Sequence, residues 1–249
     1  MKKKIFIGRD IIKVDEIDST NSYLSKISEE KHIKDGTVLS AKYQSNGKGQ
    51  TNNNWESNNG ENLLLSIYLK PTFLAVTENF YLNICTSLAI TDYLVIKKIP
   101  NIYIKWPNDI IVNNKKISGI LIKNQIRSNI FSNSIIGIGI NINQLKFITT
   151  KKATSLSIEK NKNYNLNNEL NEFLYCFEKR YFSFKKRELS IAKKEYIENL
   201  YRINTISKFK TKDNTFSGEI IGISPQGKLL IKKRKKVKEY EFREINLEY

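Results

Sequence analysis

The sequence predicts an α+β fold, in which a mixed, mainly antiparallel sheet is backed by helices and is followed by a small β-barrel. Two observations predict this fold. In most of the chain, short apolar strand-like segments alternate with longer segments whose apolar residues recur at helical spacing. In the last part of the chain, only short alternating strands separated by turn residues remain. We therefore divide the chain into a first domain at residues 1–203 and a C-terminal domain at residues 204–249.

The first elements are a helix, two strands and a long loop. The segment from Asp18 to Asn21 offers several helix caps, and apolar residues follow it at helical spacing, so a helix is predicted there. Residues 37–43 and 63–69 are predicted strands. Residues 45–62, between them, are polar and rich in glycine and asparagine, which predicts a loop. A loop of that length inside a compact domain is usually functional or disordered.

The middle of the chain predicts a buried helix and a group of strands. Residues 80–96 are apolar on all sides, as in a buried helix. Strand pieces are predicted at residues 102–105, 109–112 and 117–122. The last two are joined by Asn113-Asn114, a favoured two-residue hairpin turn because asparagine tolerates positive φ.

The remaining elements complete the sheet, its helices and the barrel. Residues 135–142 are β-branched with two glycines, which predicts a central strand that another group approaches closely at the glycines. Apolar residues from Leu170 to Phe184 recur at helical spacing, and a second helix is predicted at residues 189–200. Short strands with turn residues follow from Ile206 to the end of the chain.

Composition bounds the class of protein. The chain has 249 residues, of which 40% are apolar, so it is long enough to bury a core. Its formal net charge of +17 suggests a polyanionic partner. Lysine, isoleucine and asparagine are abundant in every region, however, and this favours a uniform compositional bias over a dedicated nucleic-acid surface.

Residue usage also excludes several kinds of site. Cys85 and Cys176 are far apart and form no CxxC motif, so neither a zinc cluster nor a disulfide framework is predicted. His32 is the only histidine and lies in a polar stretch, which excludes a multi-histidine metal site. The basic start of the chain lacks the apolar stretch of a signal peptide, and no run approaches the roughly 18 apolar residues of a membrane helix. The sequence therefore predicts a soluble cytoplasmic protein.

Two short motifs carry polar chemistry. Gly47-Lys48-Gly49-Gln50 lies in the long loop, where glycines let the backbone approach an anion and Lys48 supplies a positive charge. Alone it is no more specific than a flexible surface loop, and it matches neither a P-loop nor a GxGxxG fingerprint. The segment Lys105 to Asp109 (KWPND) brings charged, amide and indole groups to a strand end, where they need solvent or a ligand. The alternative is an Asn-Asp turn beside a packed Trp106.

With further motifs, these segments form one ordered series. In chain order the series is Asp18-Ser19-Thr20-Asn21, Gln44-x-x-Gly47-Lys48-Gly49, Trp55, Lys105-Trp106-Pro107-Asn108-Asp109, Lys116-Ile117-Ser118-Gly119-Ile120-Leu121 and Gly137-Ile138-Gly139-Ile140-Asn141-Ile142-Asn143. The series resembles the biotin–protein ligases, also called biotin–[acetyl-CoA-carboxylase] ligases, over residues 14–160. The resemblance implies a class II synthetase-like catalytic domain, and the C-terminal strands are compatible with the SH3-like barrel of that family.

The resemblance implies a two-step reaction that uses ATP and Mg²⁺. The carboxylate of biotin attacks the α-phosphate of ATP and gives biotinyl-5′-adenylate and pyrophosphate. A lysine of a biotin carboxyl carrier domain then attacks the mixed anhydride and releases AMP. Because both reactants of the first step are anions, this chemistry needs cations rather than a covalent nucleophile. Lys48, Lys116 and Mg²⁺ would supply them.

The resemblance also assigns roles to single residues. Lys116 and Lys48 are the expected catalytic residues. Those expected to bind biotin and the adenylate are Ser19, Thr20, Asn21, Gln44, Lys48, Gly49, Gln50, Lys116 and Gly119. Those expected to contact ATP are Trp55, Asn108, Asp109 and Asn141, with Asp109 as the candidate Mg²⁺ ligand. The structural alternatives are a helix cap, a strand end, a solvated hairpin lysine and a packed aromatic side chain.

Three positions depart from the family pattern. Lys48 stands where an arginine is usual, which keeps the charge but loses the two-pronged donor geometry. We therefore expect weaker retention of the adenylate. Asn52 replaces a usual glycine, which stiffens the loop, and Lys123 stands where an acidic residue is common. These departures bear on catalytic efficiency more than on identity.

The resemblance implies partners as well. Some family members carry an N-terminal helix-turn-helix domain, but here the first motif begins at residue 18, so we expect a ligase without specific DNA binding. The expected partners are biotin, ATP and a carboxyl carrier domain, with no membrane partner. Such carrier domains are often acidic, so the positive surface would steer them toward the enzyme. A homodimer paired through an edge strand such as residues 135–142 is left open.

Two alternative functions remain. A lipoate ligase or lipoyl/octanoyl transferase would share the fold, but the KWPND and Gly-Lys-Gly motifs together with the barrel favour biotin. A nucleic-acid-binding protein is suggested by the net charge and by the basic strand Lys232–Lys236. Against it, no aromatic stacking platform is interleaved with those lysines in the sequence.

Overall fold

The computed structural model describes residues 6–50, 53–150 and 152–248. The basic start of the chain and Asn52 lie outside these residues. The strands of the larger sheet are β1 (Ile11–Ile17), β2 (Val38–Gln44), β3 (Asn62–Leu69), β4 (Ile102–Lys105), β5 (Asp109–Val112), β6 (Lys115–Arg127) and β7 (Ile130–Asn141). The helices are α1 (Thr20–Glu30), α2 (Tyr81–Ile96), α3 (Leu156–Lys160), α4 (Leu166–Lys185) and α5 (Leu189–Glu198).

The larger sheet has seven strands in the order β1-β2-β3-β7-β6-β5-β4. The β1–β2 pair is parallel and the other pairs are antiparallel, so the predicted mixed, mainly antiparallel sheet is confirmed. Helices α2, α4 and α5 cover one face of the sheet, and their apolar residues join one large core. Helix α1 packs on β2, β3 and β7, where a small separate cluster forms around Leu24 and Tyr68.

Local sequence explains where the site-bearing elements begin and turn. Ser19 is the N-cap of α1, and its hydroxyl accepts a hydrogen bond from the Ser22 backbone N–H. The predicted turn between β5 and β6 is confirmed, because Asn113 and Asn114 have φ of 48° and 63°. This turn fixes the register of β5 against β6. It therefore also fixes the position of Lys116, the second residue of β6.

The predicted central strand at residues 135–142 is confirmed, and the possibility that it is an edge strand open to a partner copy was wrong. Strand β7 lies between β3 and β6 in the interior of the sheet, as its continuous burial and β-branched composition require. It has no free edge for a partner copy. The sequence analysis also missed β1, a half-exposed strand in which polar residues interrupt the apolar pattern. Because β1 pairs with β2 in parallel, no hairpin turn marks the pair in the sequence.

The C-terminal strands are β8 (Ile206–Lys210), β9 (Thr215–Ile223), β10 (Leu229–Lys233), β11 (Lys236–Tyr240) and β12 (Asn246–Glu248). They pair antiparallel in the order β11-β10-β9-β8-β12, which fits the expected SH3-like barrel. Strand β8 begins three residues after Ile203, which forms an isolated parallel bridge with Ile220 of β9. The division of the chain after residue 203 stays a prediction.

The fold places aromatic rings beside the basic β10–β11 hairpin that are not interleaved with its lysines in the sequence. The Lys233 ammonium lies 4.9 Å from the centroid of the Phe216 ring, and the Lys238 ammonium lies 5.0 Å from that of Tyr240. Phe216 comes from β9, so only the fold brings it beside these lysines. Phe216 and Tyr240 stack on each other and Tyr240 is buried, so the rings are not an open platform for bases.

Candidate active site

A cavity at the N-terminal end of α1 collects most of the residues predicted to bind substrate. It is an open cavity of about 470 Å³, a volume that includes space continuous with solvent, and residues of α1, β6, β7 and the loop after β2 line it. The predicted residues that line it are Ser19, Thr20, Asn21, Gln44, Lys48, Gly49, Gln50, Trp55, Asn108, Lys116 and Gly119. Asp109 and Asn141 line two adjoining cavities, each of which shares Trp55 and Lys116 with the first. We name the first cavity the substrate cavity. The inter-sheet cavity is the one that Asp109 lines, and it has about 1140 Å³ of space that is open to solvent. The side cavity is the one that Asn141 lines, with about 320 Å³ of such space.

Buried hydrogen bonds fix the polar end of the substrate cavity. The Thr20 backbone N–H and hydroxyl both donate to Gln44 Oε1, over 2.7 and 2.9 Å. The Ser66 hydroxyl donates in turn to Thr20 Oγ1 over 2.9 Å. Sequence reasoning missed Ser66, although a hydroxyl inside the apolar strand β3 is a usable signal, since a buried polar group needs a partner.

Asn21 leaves an acceptor open in the wall of this cavity. Its side chain is 3% exposed, and its Nδ2 donates to the Leu121 carbonyl over 3.0 Å. Its Oδ1 is buried and has no hydrogen-bond partner. Because an unsatisfied buried acceptor costs about 1–3 kcal/mol, this oxygen favours a ligand that brings an N–H or O–H donor.

Glycines on β6 and β7 make room for two of these side chains. A Cβ atom on Gly137 would lie 2.7 Å from Asn21 Nδ2, and one on Gly139 would lie 2.5 Å from the Trp55 ring. A Cβ on Gly119 would lie 2.9 Å from the same ring. The predicted close approach at the glycines of residues 135–142 is confirmed, and the groups that approach are side chains of the cavity.

A lysine and a carboxylate face each other across the β5–β6 hairpin. Lys116 Nζ lies 2.7 Å from Asp109 Oδ1 and 5.4 Å from the centroid of the Trp55 ring. Both side chains are mostly but not fully buried, at 28% and 22% exposure, so a ligand can reach them. The ion pair holds the ammonium at the junction of the three cavities.

The loop after β2 folds back on itself to bring Lys48 to the opposite wall. The Gly49 N–H donates to the Asn53 carbonyl over 2.7 Å, and the Trp55 N–H donates to the Gly47 carbonyl over 2.8 Å. Lys48 is exposed at the cavity mouth. Partial burial and then the charge of Lys48 lower the pKa of Lys123. The departure at Lys123 is outside the described lining of the substrate cavity.

Other predicted residues serve the fold at the same time. Asn108 Nδ2 donates to the Ile120 carbonyl over 2.8 Å, and Asn141 Nδ2 donates to the Thr154 carbonyl over 2.9 Å. Asn141 Oδ1 is buried without a partner beside the side cavity. Trp106 turns toward the barrel, where its Nε1 donates to the Gly227 carbonyl over 2.8 Å. These contacts favour the alternative in which Trp106 is a packed side chain and not part of a ligand site.

The donor set fits a magnesium ion that arrives with phosphates. The described residues contain no group of three or more histidine, cysteine, aspartate or glutamate side chains that would hold a resident metal. Mg²⁺ in nucleotide-dependent enzymes usually takes one or two carboxylates together with substrate phosphates. Asp109 is the carboxylate that lines the inter-sheet cavity, and the substrate cavity has none among its described lining residues.

These features define a class of protein: an enzyme whose mixed sheet carries a cavity for a small acid, with lysines set to neutralise it. The family model described as the Biotin/lipoate A/B protein ligase family matches residues 14–141. The chain belongs to that family. None of the described helices is long and apolar enough to cross a membrane.

Its similar proteins are biotin ligases. The chain is 29% identical to the bifunctional ligase/repressor BirA of Bacillus subtilis (strain 168), over 97% of this chain and 75% of that protein. It is 27% identical to BirA of Escherichia coli (strain K12), over 96% of this chain and 74% of that protein. The solved structure of biotin protein ligase from Aquifex aeolicus in complex with biotin and ATP matches with a TM-score of 0.80 and 27% identity, over 96% of this chain and 99% of that chain. The resemblance to the biotin–protein ligases is confirmed.

Proposed function

We propose that this protein is an ATP-dependent ligase that activates biotin as biotinyl-5′-adenylate and transfers it to a lysine of a biotin carboxyl carrier domain. The Aquifex structure with biotin and ATP and the curated biotin ligases support this function. The main observation behind it is that one cavity is lined both by Asn21, whose Oδ1 lacks a hydrogen-bond partner, and by Lys116, whose ammonium is held by Asp109. Biotin has N–H donors on its ureido ring and a carboxylate at the end of its side chain, so its two ends match these two groups.

The spacing of these groups follows from the sheet register. Gly119 pairs with Gly139 and Leu121 pairs with Gly137, so the Trp55–Lys116 position and the Asn21 position are two residues apart along β6 and β7. Two residues of a strand span about 7 Å. Leu121 lines the cavity on the same face of the sheet as these glycines, and its side chain would contact the hydrocarbon part of biotin. Leu65, Ile120 and Ile138 also border the cavity, but they belong to the large core on the other face.

In this proposal, Lys116 and Lys48 neutralise the carboxylate of biotin and the α-phosphate as they approach. Two anions repel, and fixed cations in a partly dehydrated site lower that cost without reorganising during the reaction. Asp109 orients Lys116 and is the residue that would hold Mg²⁺, which supplies further positive charge to the phosphates when bound. No nucleophilic side chain is required.

The remaining predicted residues take supporting roles. Ser19, Thr20, Asn21 and Gln44 would bind the ureido end of biotin, while Gly49 and Gln50 would close over the adenylate and exclude water from the anhydride. The side cavity, with Trp55 and Asn141 in its wall, would hold the nucleoside part of ATP. Asn108 lines the neighbouring walls.

The finer expectations belong to this proposal too. The products of the two steps would be pyrophosphate and AMP, and the partner would be a carboxyl carrier domain. A cytoplasmic location, a homodimer and the lack of specific DNA binding stay predictions.

The test is biotin-dependent exchange of pyrophosphate into ATP with purified protein and Mg²⁺, with lipoate and octanoate as competing acids. Exchange that requires biotin supports the proposal. Exchange with lipoate or octanoate alone would assign the chain to the other branch of the family, and no exchange with any acid would contradict the adenylation step. Binding of DNA or RNA that persists at physiological salt would instead favour the nucleic-acid function.

A further inference from the structure

Glu56 follows Trp55 directly and reaches across to a second loop, between β7 and α3. Its carboxylate accepts hydrogen bonds from the backbone N–H groups of Ile148, Thr149 and Thr150 and from the Thr149 hydroxyl. The Thr149 and Thr150 nitrogens lie 3.0 and 2.9 Å from Oε2. Successive N–H groups around one anion form a strong, directional binding arrangement.

These hydrogen bonds keep the carboxylate charged. Partial burial acts to raise the pKa of Glu56, but the hydrogen bonds from Thr149, Ile148 and Thr150 outweigh it and hold the pKa at about 2. Glu56 therefore stays charged well below the usual titration range of a glutamate. The four donors bind the anion more strongly than its protonated form.

The segment that Glu56 holds has little apolar packing of its own. Leu145 is 62% exposed and Ile148 is 86% exposed. A segment with so few buried apolar contacts depends on polar contacts for its position. The start of this segment is also joined to the Trp55 loop, because Gln144 Oε1 accepts from the Asn58 N–H and the Asn143 N–H donates to the Glu61 carbonyl. Glu56 is the residue of that loop that binds residues 148–150.

The position of this segment matters because it forms one wall of the side cavity. Phe147 and Thr150 line that cavity together with Trp55, Asn141, Lys116 and Glu56 itself. Glu56 is absent from the described lining of the substrate cavity. A change at Glu56 would therefore alter one cavity and spare the other.

We propose that Glu56 is a positioning residue for the nucleotide: by holding residues 148–150 it keeps Phe147 and Thr150 in place as a wall for the nucleoside part of ATP. The inference rests on the proposed function, since it takes ATP as the ligand of the side cavity. It assigns Glu56 no contact with the reacting atoms.

The test compares Glu56→Ala with Glu61→Gln as a matched control. Glu61 lies on the same loop, and its carboxylate accepts a hydrogen bond from Asn58 instead of from the second loop. In pyrophosphate exchange, we expect Glu56→Ala to raise the KM for ATP about tenfold while the KM for biotin stays within about twofold, because charge-assisted hydrogen bonds are lost on the nucleotide side alone. Glu61→Gln should change neither constant.

Thr149→Val gives a second, milder variant that keeps the carboxylate. It removes one of the four donors, so its KM for ATP should lie between those of the wild type and Glu56→Ala. Amide hydrogen exchange of residues 148–150 should accelerate in Glu56→Ala and remain unchanged in Glu61→Gln, which reports the hydrogen bonds to Glu56 without any activity measurement. An unchanged thermal midpoint separates these effects from unfolding.

Several outcomes would overturn the inference. It fails if Glu56→Ala leaves the KM for ATP and the amide exchange unchanged, or if it raises the KM values for ATP and biotin equally. It fails as well if only the thermal midpoint changes. Failure of the proposed function is recognised separately, by the absence of biotin-dependent exchange in the wild type. In that case, the dissociation constants for ATP of the wild type and of Glu56→Ala, measured by calorimetry, test the role of Glu56 by itself. Equal dissociation constants would overturn that role.

Discussion

The substrate cavity has two walls that are built in different ways. The strand wall consists of β6 and β7, whose ladder of backbone hydrogen bonds pairs Gly119 with Gly139 and Leu121 with Gly137. The loop wall consists of residues 45–50 and 53–61, which a few single contacts hold in place, among them the Trp55–Gly47 hydrogen bond. Most of β7 is buried, whereas most of the loop is partly or fully exposed.

The difference teaches where rigidity is needed. Lys116 and the two glycines beside Trp55 belong to the strand wall, so the cation that we propose for the chemistry lies on a fixed register. Lys48 belongs to the loop wall, which in our proposal opens to admit ligands and closes over the adenylate. We therefore expect changes in the strand wall to affect the chemistry or the fold, and changes in the loop wall to affect the retention of ligands.

The largest effect is expected from Lys116→Ala in the strand wall. Removing one fixed electrostatic donor typically costs about 100- to 1000-fold in rate, so biotin-dependent pyrophosphate exchange should fall by that factor. Lys115→Ala, the exposed neighbour on the same hairpin, is the control and should retain exchange. If both variants lose activity equally, Lys116 has no special role, and the expectation that the strand wall supplies the catalytic cation is wrong.

Asn21→Ala should have the next largest effect, through biotin affinity. The variant removes the open buried acceptor, so the dissociation constant for biotin should rise by about 10- to 100-fold while that for ATP stays unchanged. Titration calorimetry with each ligand measures both constants. A parallel loss of ATP affinity would mean that Asn21 supports the cavity only through its hydrogen bond to the Leu121 carbonyl.

Gly139→Ala tests the fit between the two walls. The added methyl group would lie 2.5 Å from the Trp55 ring, so either the ring or the strand must move. Overpacking of this kind costs about 1–3 kcal/mol of unfolding free energy, which denaturant titration measures. Adding Trp55→Ala should recover most of that loss if the ring is the obstacle. No recovery would mean that the glycine is required by the strand itself.

The smallest effect is expected from Lys48→Arg in the loop wall. Arginine restores the planar fork of donors that lysine lacks, so release of the adenylate should slow by several-fold. The measurement is the fraction of biotinyl-adenylate that stays with the protein after rapid desalting. Lys42→Arg, whose ammonium pairs with Asp15 away from the cavity, is the control. Equal retention in all three proteins would show that the loop does not hold the adenylate through this side chain.

The sequence predicted the strand wall more fully than the loop wall. Hydrophobic periodicity and the Asn113-Asn114 turn predicted β5, β6 and β7, because strands and tight turns follow from local preferences. The motifs in the chain led to the residues that line the substrate cavity. Their roles in binding and catalysis stay predictions until the variants are measured.

The sequence by itself determined the α+β class, the main helices and strands after residue 18, and the family, since each follows from local patterns or ordered motifs. Tertiary structure alone decided that β1 pairs with β2 and that Phe216 lies beside Lys233. It also decided that Glu56 binds residues 148–150. The physical reason is the same in every case: these contacts join residues distant in the chain, and their free energy depends on neighbours that no local pattern specifies.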